Sequence, residues 1–229
     1  MIKIILIDVD NTLLDFNKCA EYAMKEACKE KGIEFLENMT SVFHEINNCL
    51  WSGIEKGTVT KEQLHNNRWK MIFERLNIDL DGVSFEKTFR EYLAKSAEPI
   101  TGAKELILYL SGKYRVFAAS NAFYNQQIKR LTMAGMYENI EGMFISEKIG
   151  YEKPSKEFFD ECFLQLGNPS KDEVIIIGDS LTADIGGGAD YGIKTCWYNP
   201  DRKPPPEDFQ IDYTVNKLGD ILKISSPLV

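Results

Sequence analysis

Three short runs, Ile2 to Ile7, Arg115 to Ala119 and Val174 to Ile177, are rich in β-branched or aromatic residues and bounded by polar residues or glycine. That length and composition predict strands. Their side chains are apolar on both alternating faces, as strands covered by helices on both sides require. Further strands are expected at Met143 to Ile145, Thr195 to Tyr198 and Tyr213 to Val215. Between strands the period changes. Phe158, Phe159, Cys162, Phe163 and Leu166 recur at helical spacing, with Pro154 and Ser155 ahead of them as a start signal. Strands alternating with helices predict an α/β fold with a doubly wound, mainly parallel sheet.

Residues 16–96 carry a different pattern, with helical stripes and no convincing strand. Ala20, Met24, Ala27 and Cys28 form one stripe, and Val42, Phe43, Ile46 and Leu50 a second. Leu64, Ile72, Phe73 and Leu76 form a third behind Thr60 and Gln63, a capping-box pair. Phe85, Phe89, Tyr92 and Leu93 form the fourth. So long a helical stretch after the first strand exceeds a simple crossover connection. The expected organisation is an α/β core of residues 1–15 and 97–229 with an inserted all-helical cap domain, residues 16–96. Hinges are expected at Leu14 to Asn17 and Ser96 to Gly102.

Composition narrows the classes. The 229 residues are 44% apolar and 27% charged, which is globular composition and argues against disorder. Acidic side chains outnumber basic ones by 35 to 27, a net charge of −8, so no broad basic field exists for a nucleic acid polymer. The early apolar run Ile4 to Ile7 is too short for a leader or a membrane span. Five cysteines without a CxxC pair fit reduced thiols, not a disulfide framework or a zinc site. A cytoplasmic protein with neither membrane nor nucleic acid partner is the expectation.

The candidate chemistry lies at strand ends. Asp8 and Asp10 stand two apart after the first strand, where an extended backbone points both carboxylates to one side. Asp-x-Asp-Asn is also turn and N-cap chemistry. A second acidic site, Asp179 and Asp184, follows the strand ending at Ile177. In a parallel sheet both strand ends lie on the edge where ligands of open α/β folds bind. Close carboxylates repel by roughly 4 kcal/mol at 4 Å and an effective dielectric of 20. A hard cation relieves that repulsion, and oxygen-only ligation without a nearby histidine points to Mg²⁺. Ser120 and Asn121, ahead of a helix start, suit a phosphate. Lys153 precedes Pro154 at another helix start and could reach the same edge. Gly186, Gly187 and Gly188 match neither GxGxxG nor a P-loop, because Tyr191 and Ile193 stand where those patterns need Gly and Lys. Close backbone packing suits them better.

Asp8-Val-Asp10-Asn-Thr12, Ser120-Asn121, Lys153-Pro154 and Gly178-Asp179-Ser180 with Asp184 resemble, in order, the four motifs of the haloacid dehalogenase-like superfamily. The helical insert resembles the C1 cap of its first subfamily. The resemblance implies a Rossmann-like core and a Mg²⁺-dependent phosphomonoester hydrolase acting on a small phosphorylated metabolite. Asp8 would be the nucleophile that forms an aspartyl-phosphate. Asp10 would be the acid and base. Mg²⁺ would be held by Asp8, the Asp10 carbonyl and Asp179, with Asp184 behind them. Ser120, Asn121 and Lys153 would hold the phosphoryl oxygens. Dehalogenases lack an acid at the position of Asp10. Gly178 to Gly188 and Thr195 to Pro200 look most like the pyrimidine 5′-nucleotidase group. A sugar-phosphate phosphatase or phosphomutase of the same subfamily is the alternative. Phe16, beside a hinge, is the substrate-binding candidate, and His44, Asn47, Trp51 and Trp69 are further candidates for the cap face.

Overall fold

Contiguous apolar runs form the strands β1 (Ile4–Ile7), β2 (Arg115–Ser120), β3 (Gly142–Ile145), β4 (Val174–Gly178), β5 (Lys194–Tyr198) and β6 (Tyr213–Val215). The computed structural model describes residues 1–207 and 209–224. Residue 208 and the last five residues of the core segment expected at 97–229 lie outside the described residues. All six strands pair in parallel, in the order β3-β2-β1-β4-β5-β6. Period-two alternation sends Ile5 and Ile7 to one face, with Val116, Ala118, Ile175 and Ile177. Ile4, Leu6, Phe117, Ala119 and Ile176 go to the other. Helix α5 (Ala103–Ser111) covers the first face through Leu106, Ile107 and Leu110, and α10 (Leu218–Ile224) through Leu218 and Ile221. Helix α8 (Lys156–Gln165) covers the second through Phe158, Phe159, Cys162 and Phe163. Burial of each such side chain contributes roughly 1.5–3 kcal/mol. The doubly wound, parallel fold read from the sequence is therefore present.

Strand order reverses between β1 and β4, which lie side by side with Ile7 opposite Ile177. At such a switch point the crossover connections diverge and leave a crevice at the carboxyl ends of the strands. Asp8 leaves β1 there, its amide donating to the Ile177 carbonyl at 2.9 Å. The two segments expected as hinges pair with each other. Leu14 bridges Pro99, and the Asp15 amide donates to the Glu98 carbonyl at 2.8 Å. Helices α6 (Tyr124–Met133), α7 (Ser146–Ile149) and α9 (Gly187–Tyr191) complete the core.

By contacts the chain divides into two units: Met1–Phe16 with the described residues from Ala97 onward, and Asn17–Ser96. The second unit holds α1 (Phe16–Lys31), whose first residue belongs to the core unit, α2 (Met39–Glu55), α3 (Lys61–Leu76) and α4 (Gly82–Leu93). Its centre is aromatic. Trp69 sits among Phe43, Phe73, Phe85 and Phe89, with 4.3 Å between its ring centroid and that of Phe85. Beside this cluster a buried Arg68 forms two bonds to Glu86 and donates to Asn47 Oδ1 at 2.8 Å. Burial pushes the Glu86 carboxyl up, but Arg68 and His65 together more than offset it, so Glu86 stays below the usual carboxylate range. No helix among the described residues is long and apolar enough to cross a membrane.

Candidate active site

The end of β1, the turn after β4 and the start of α8 bring one lysine among three carboxylates. Lys153 is 1% exposed, and its Nζ donates to Asp8 Oδ1 at 2.8 Å, Asp184 Oδ1 at 2.6 Å and the Ala119 carbonyl at 2.6 Å. Asp184 Oδ2 accepts from the Ser180 amide at 3.1 Å, which ties the turn after β4 to the same lysine. Thr12 Oγ1 donates to Asp179 Oδ1 at 3.3 Å, and the Trp197 indole donates to the Asp179 carbonyl at 3.0 Å. Carboxylate oxygens of Asp8, Asp179 and Asp184 lie within 4.8 Å of one another.

Lys153 reaches this position because its flanks are packed closely. The Asn121 amide takes both sides of the Lys153 backbone: Nδ2 donates to the Lys153 carbonyl and Oδ1 accepts from its amide, each at 2.8 Å. Pro154 lies against Gly187, where a Cβ would fall 2.9 Å from Pro154 Cα and Cβ. At Gly188 a Cβ would fall 2.5 Å from the Ile176 side chain. Gly187 and Gly188 thus serve close approach of α9 to the Lys153-Pro154 segment, α8 and the sheet, whereas Gly186 lies against the Leu181 carbonyl and the Phe209 ring.

Asp10 behaves differently from Asp8. The chain turns away after the strand, with Asn11 in the left-handed region at φ 61° and Asp10 bridging Leu14. Its carboxylate faces α6, where Arg130 Nη1 donates to Oδ1 at 2.5 Å and Gln127 Nε2 to Oδ2 at 2.7 Å. The cluster of mutually close carboxylates is therefore Asp8, Asp179 and Asp184, whereas extended geometry had placed the Asp10 carboxylate with Asp8 and Asp179. Ser120 Oγ accepts from the same Gln127 Nε2 at 3.1 Å.

Electrostatics favour a cation at this edge. Burial pushes the Asp8 carboxyl up to about 7; Lys153 opposes the shift, and Asp184 and Asp10 add to it. Burial, then Asp8 and Asp184, raise Asp179 well above the usual range. Burial pulls Lys153 down, but Asp184 and Asp8 more than reverse this and hold it above an ordinary lysine. One ammonium against three carboxylates leaves two negative charges in excess when all are ionised. An all-oxygen donor set with that excess fits a hard divalent cation.

The structure thus places Asp8, Lys153, Asp179 and Asp184 in one group, with Ser120 and Asn121 at the adjacent strand end and Asp10 turned to α6. Phe16 is partly buried at the first position of α1. Of the further cap candidates, Trp69 and Asn47 are interior to the helical unit, with Trp69 in the aromatic cluster and Asn47 bound to Arg68. His44 and Trp51 are partly exposed. Gln127 and Arg130 were not foreseen. Their signal was the buried stripe Gln127, Arg130, Leu131 on α6, in which polar residues take positions that an apolar pattern would fill.

Comparisons place this geometry among known proteins. A family model described as haloacid dehalogenase-like hydrolase matches residues 2–192. YfnB of Bacillus subtilis is 33% identical over 222 residues, covering 97% of this chain and 94% of its own. The crystal structure of YfnB bound to magnesium superposes with a TM-score of 0.93, over 97% of this chain and 98% of that one, and reveals interdomain movement in that protein. The pyrimidine 5′-nucleotidase PynA of Streptococcus pneumoniae is 33% identical, covering 96% of this chain and 93% of its own. The pyrimidine 5′-nucleotidase YjjG of Escherichia coli is 29% identical, covering 95% of each.

Proposed function

The chain belongs to the haloacid dehalogenase-like hydrolases, and we propose that it is a Mg²⁺-dependent phosphomonoesterase, a 5′-nucleotidase acting on pyrimidine nucleoside monophosphates. The carrying observation is Asp8, a strand-end carboxylate bonded to buried Lys153 within a cluster of three acids. Two relatives that are pyrimidine 5′-nucleotidases and span nearly the whole chain support the substrate class. The unit Asn17–Ser96 is the cap in this reading.

Asp8, Asp179 and the Asp10 carbonyl would hold Mg²⁺, which when bound neutralises the acids and draws charge from the phosphoryl oxygens. Asp8 Oδ attacks phosphorus, forming an aspartyl-phosphate as the bond to the leaving oxygen breaks. Asp10 supplies the proton that the leaving oxygen takes. It then accepts a proton from the water that attacks phosphorus, which releases phosphate and restores the Asp8 carboxylate. Ser120 and Lys153 hold the phosphoryl oxygens, so most of the acceleration is positioning and charge stabilisation. Asn121 serves this through the Lys153 backbone that its amide grips.

Phosphate release from 4-nitrophenyl phosphate with Mg²⁺ is expected, with loss of at least ~10³-fold in Asp8→Asn, as removal of a nucleophile demands. Undiminished turnover in that variant overturns the assignment. A panel of pyrimidine nucleotides, purine nucleotides and sugar phosphates tests the substrate class. A preference for sugar phosphates overturns the nucleotidase reading and leaves the phosphatase reading intact.

A further inference from the structure

We infer that Gln127 and Arg130 are positioning residues for proton transfer at Asp10, a clamp on α6 that aims the acid. This rests on the proposed role of Asp10. The sheet does not orient Asp10, because β1 ends at Ile7 and the next residues form a turn with Asn11 at positive φ. Orientation comes instead from α6. Arg130 Nη1 takes Oδ1 at 2.5 Å and Gln127 Nε2 takes Oδ2 at 2.7 Å. Both donors are 0% exposed and stand three residues apart on one helix face. They also hold each other, since Arg130 Nη1 donates to Gln127 Oε1 at 3.2 Å.

Burying a guanidinium and an amide where Leu would pack is unfavourable unless both are well bonded. Here Arg130 Nη1 and Gln127 Nε2 converge on Asp10, and Gln127 Nε2 also donates to Ser120 Oγ at 3.1 Å. One amide thus fixes the acid relative to the hydroxyl proposed to hold the phosphoryl group. A carboxylate offers about four acceptor sites. The clamp takes one on each oxygen and leaves the others for the proton that Asp10 passes on. A misplacement of about 1 Å costs on the order of 10²-fold in rate.

The test varies the leaving group. Phenoxide is more basic than 4-nitrophenoxide, so phenyl phosphate needs the acid more than 4-nitrophenyl phosphate does. kcat/KM for both is measured with Mg²⁺ in wild type, Gln127→Met, Arg130→Lys and Asp10→Asn. In Gln127→Met, kcat/KM for phenyl phosphate is expected to fall about tenfold further than for 4-nitrophenyl phosphate, within the ~10²–10⁴-fold span of general acid catalysis. Arg130→Lys, which keeps a cationic donor, should show a smaller bias. Gln127→Met removes one neutral amide and is checked for folding by its melting curve, so it carries the test if Arg130→Lys fails to fold. Equal losses on the two substrates in folded Gln127→Met, with a clear bias in Asp10→Asn, overturn the clamp and leave the reaction intact. An absence of bias in Asp10→Asn overturns the acid itself and the clamp with it.

Discussion

Acidification through pH 7 should weaken Mg²⁺ binding steeply. The Asp8 carboxyl titrates at about 7, against 3.8 for an ordinary aspartate, with burial as the main cause. Below that value a cation that takes Asp8 ionised must first expel its proton, which costs about 1.4 kcal/mol, or tenfold in apparent Kd, per pH unit and proton. With Asp8 alone, the factors at pH 5.5 and 7.5 are about 30 and about 1.3, so apparent Kd should be ~25-fold weaker at pH 5.5. Expulsion of a proton from Asp179, which burial also raises, steepens the change further. The same shift acts on folding. Asp8 holds its proton more tightly folded than unfolded, so its contribution to stability is full below about pH 4 and is lost as pH rises through 7. The difference of 7 and 3.8 units, at about 1.4 kcal/mol each, amounts to roughly 4 kcal/mol for the metal-free protein. Bound cation reverses this, so the gain in Tm on adding Mg²⁺ should grow from pH 5.5 to 7.5. Melting curves with EDTA and with Mg²⁺ across that range read the gain. Calorimetry in buffers of different ionisation enthalpy reads the released protons. A Kd and a Tm gain that stay constant from pH 5.5 to 7.5, with no proton released, would refute the reasoning.

Two substitutions probe the packing that supports the site and the helical unit. Gly187→Ala puts a Cβ 2.9 Å from Pro154 and 3.0 Å from the Phe159 ring, a strained contact in a filled core. It should destabilise by roughly 1–3 kcal/mol, a Tm fall of about 2–4 °C per kcal/mol at this size, and an unchanged Tm would contradict the close approach. Thr60→Ala removes the hydroxyl that accepts from the Gln63 amide at 3.1 Å. A loss of about 1 kcal/mol is expected, seen as faster hydrogen exchange at the first turn of α3, and unchanged exchange there would deny the cap any weight.

Much of this was legible because the signals were local. Strands covered on both faces must be apolar on both faces, so β1, β2 and β4 stood out as runs. The capping box at Thr60 and Gln63 is a spacing rule and is present with both of its bonds. Asp8 and Asp179 stand out in the sequence because each follows a strand end, where ligands of parallel sheets bind, and the structure brings their carboxylates together. The interior of α6 was illegible for the opposite reason. Gln127 and Arg130 look like a solvated face until the fold shows Asp10 turned toward them. Trp69 and Asn47 are readable either as cap-face or as interior residues, because a stripe does not say whether it faces a ligand or a neighbouring helix. In this unit it faces the helices, around a buried ion pair.

Lys153 then sets the order of events in the proposed reaction. An ammonium has three protons to donate, and all three are taken, by Asp8, Asp184 and the Ala119 carbonyl. It can reach a phosphoryl oxygen only by giving up one of these bonds. The carbonyl belongs to β2, and Asp184 is also bonded to the Ser180 amide, so neither is free to move. Asp8 is the partner whose role changes. As its oxygen bonds to phosphorus, the carboxylate becomes a neutral acyl group and its attraction for Lys153 falls. The bond from Nζ then passes from Asp8 to the phosphoryl group now attached to it, with little movement of the lysine. Charge balance thus follows the phosphoryl group into the intermediate and returns to Asp8 when water removes it.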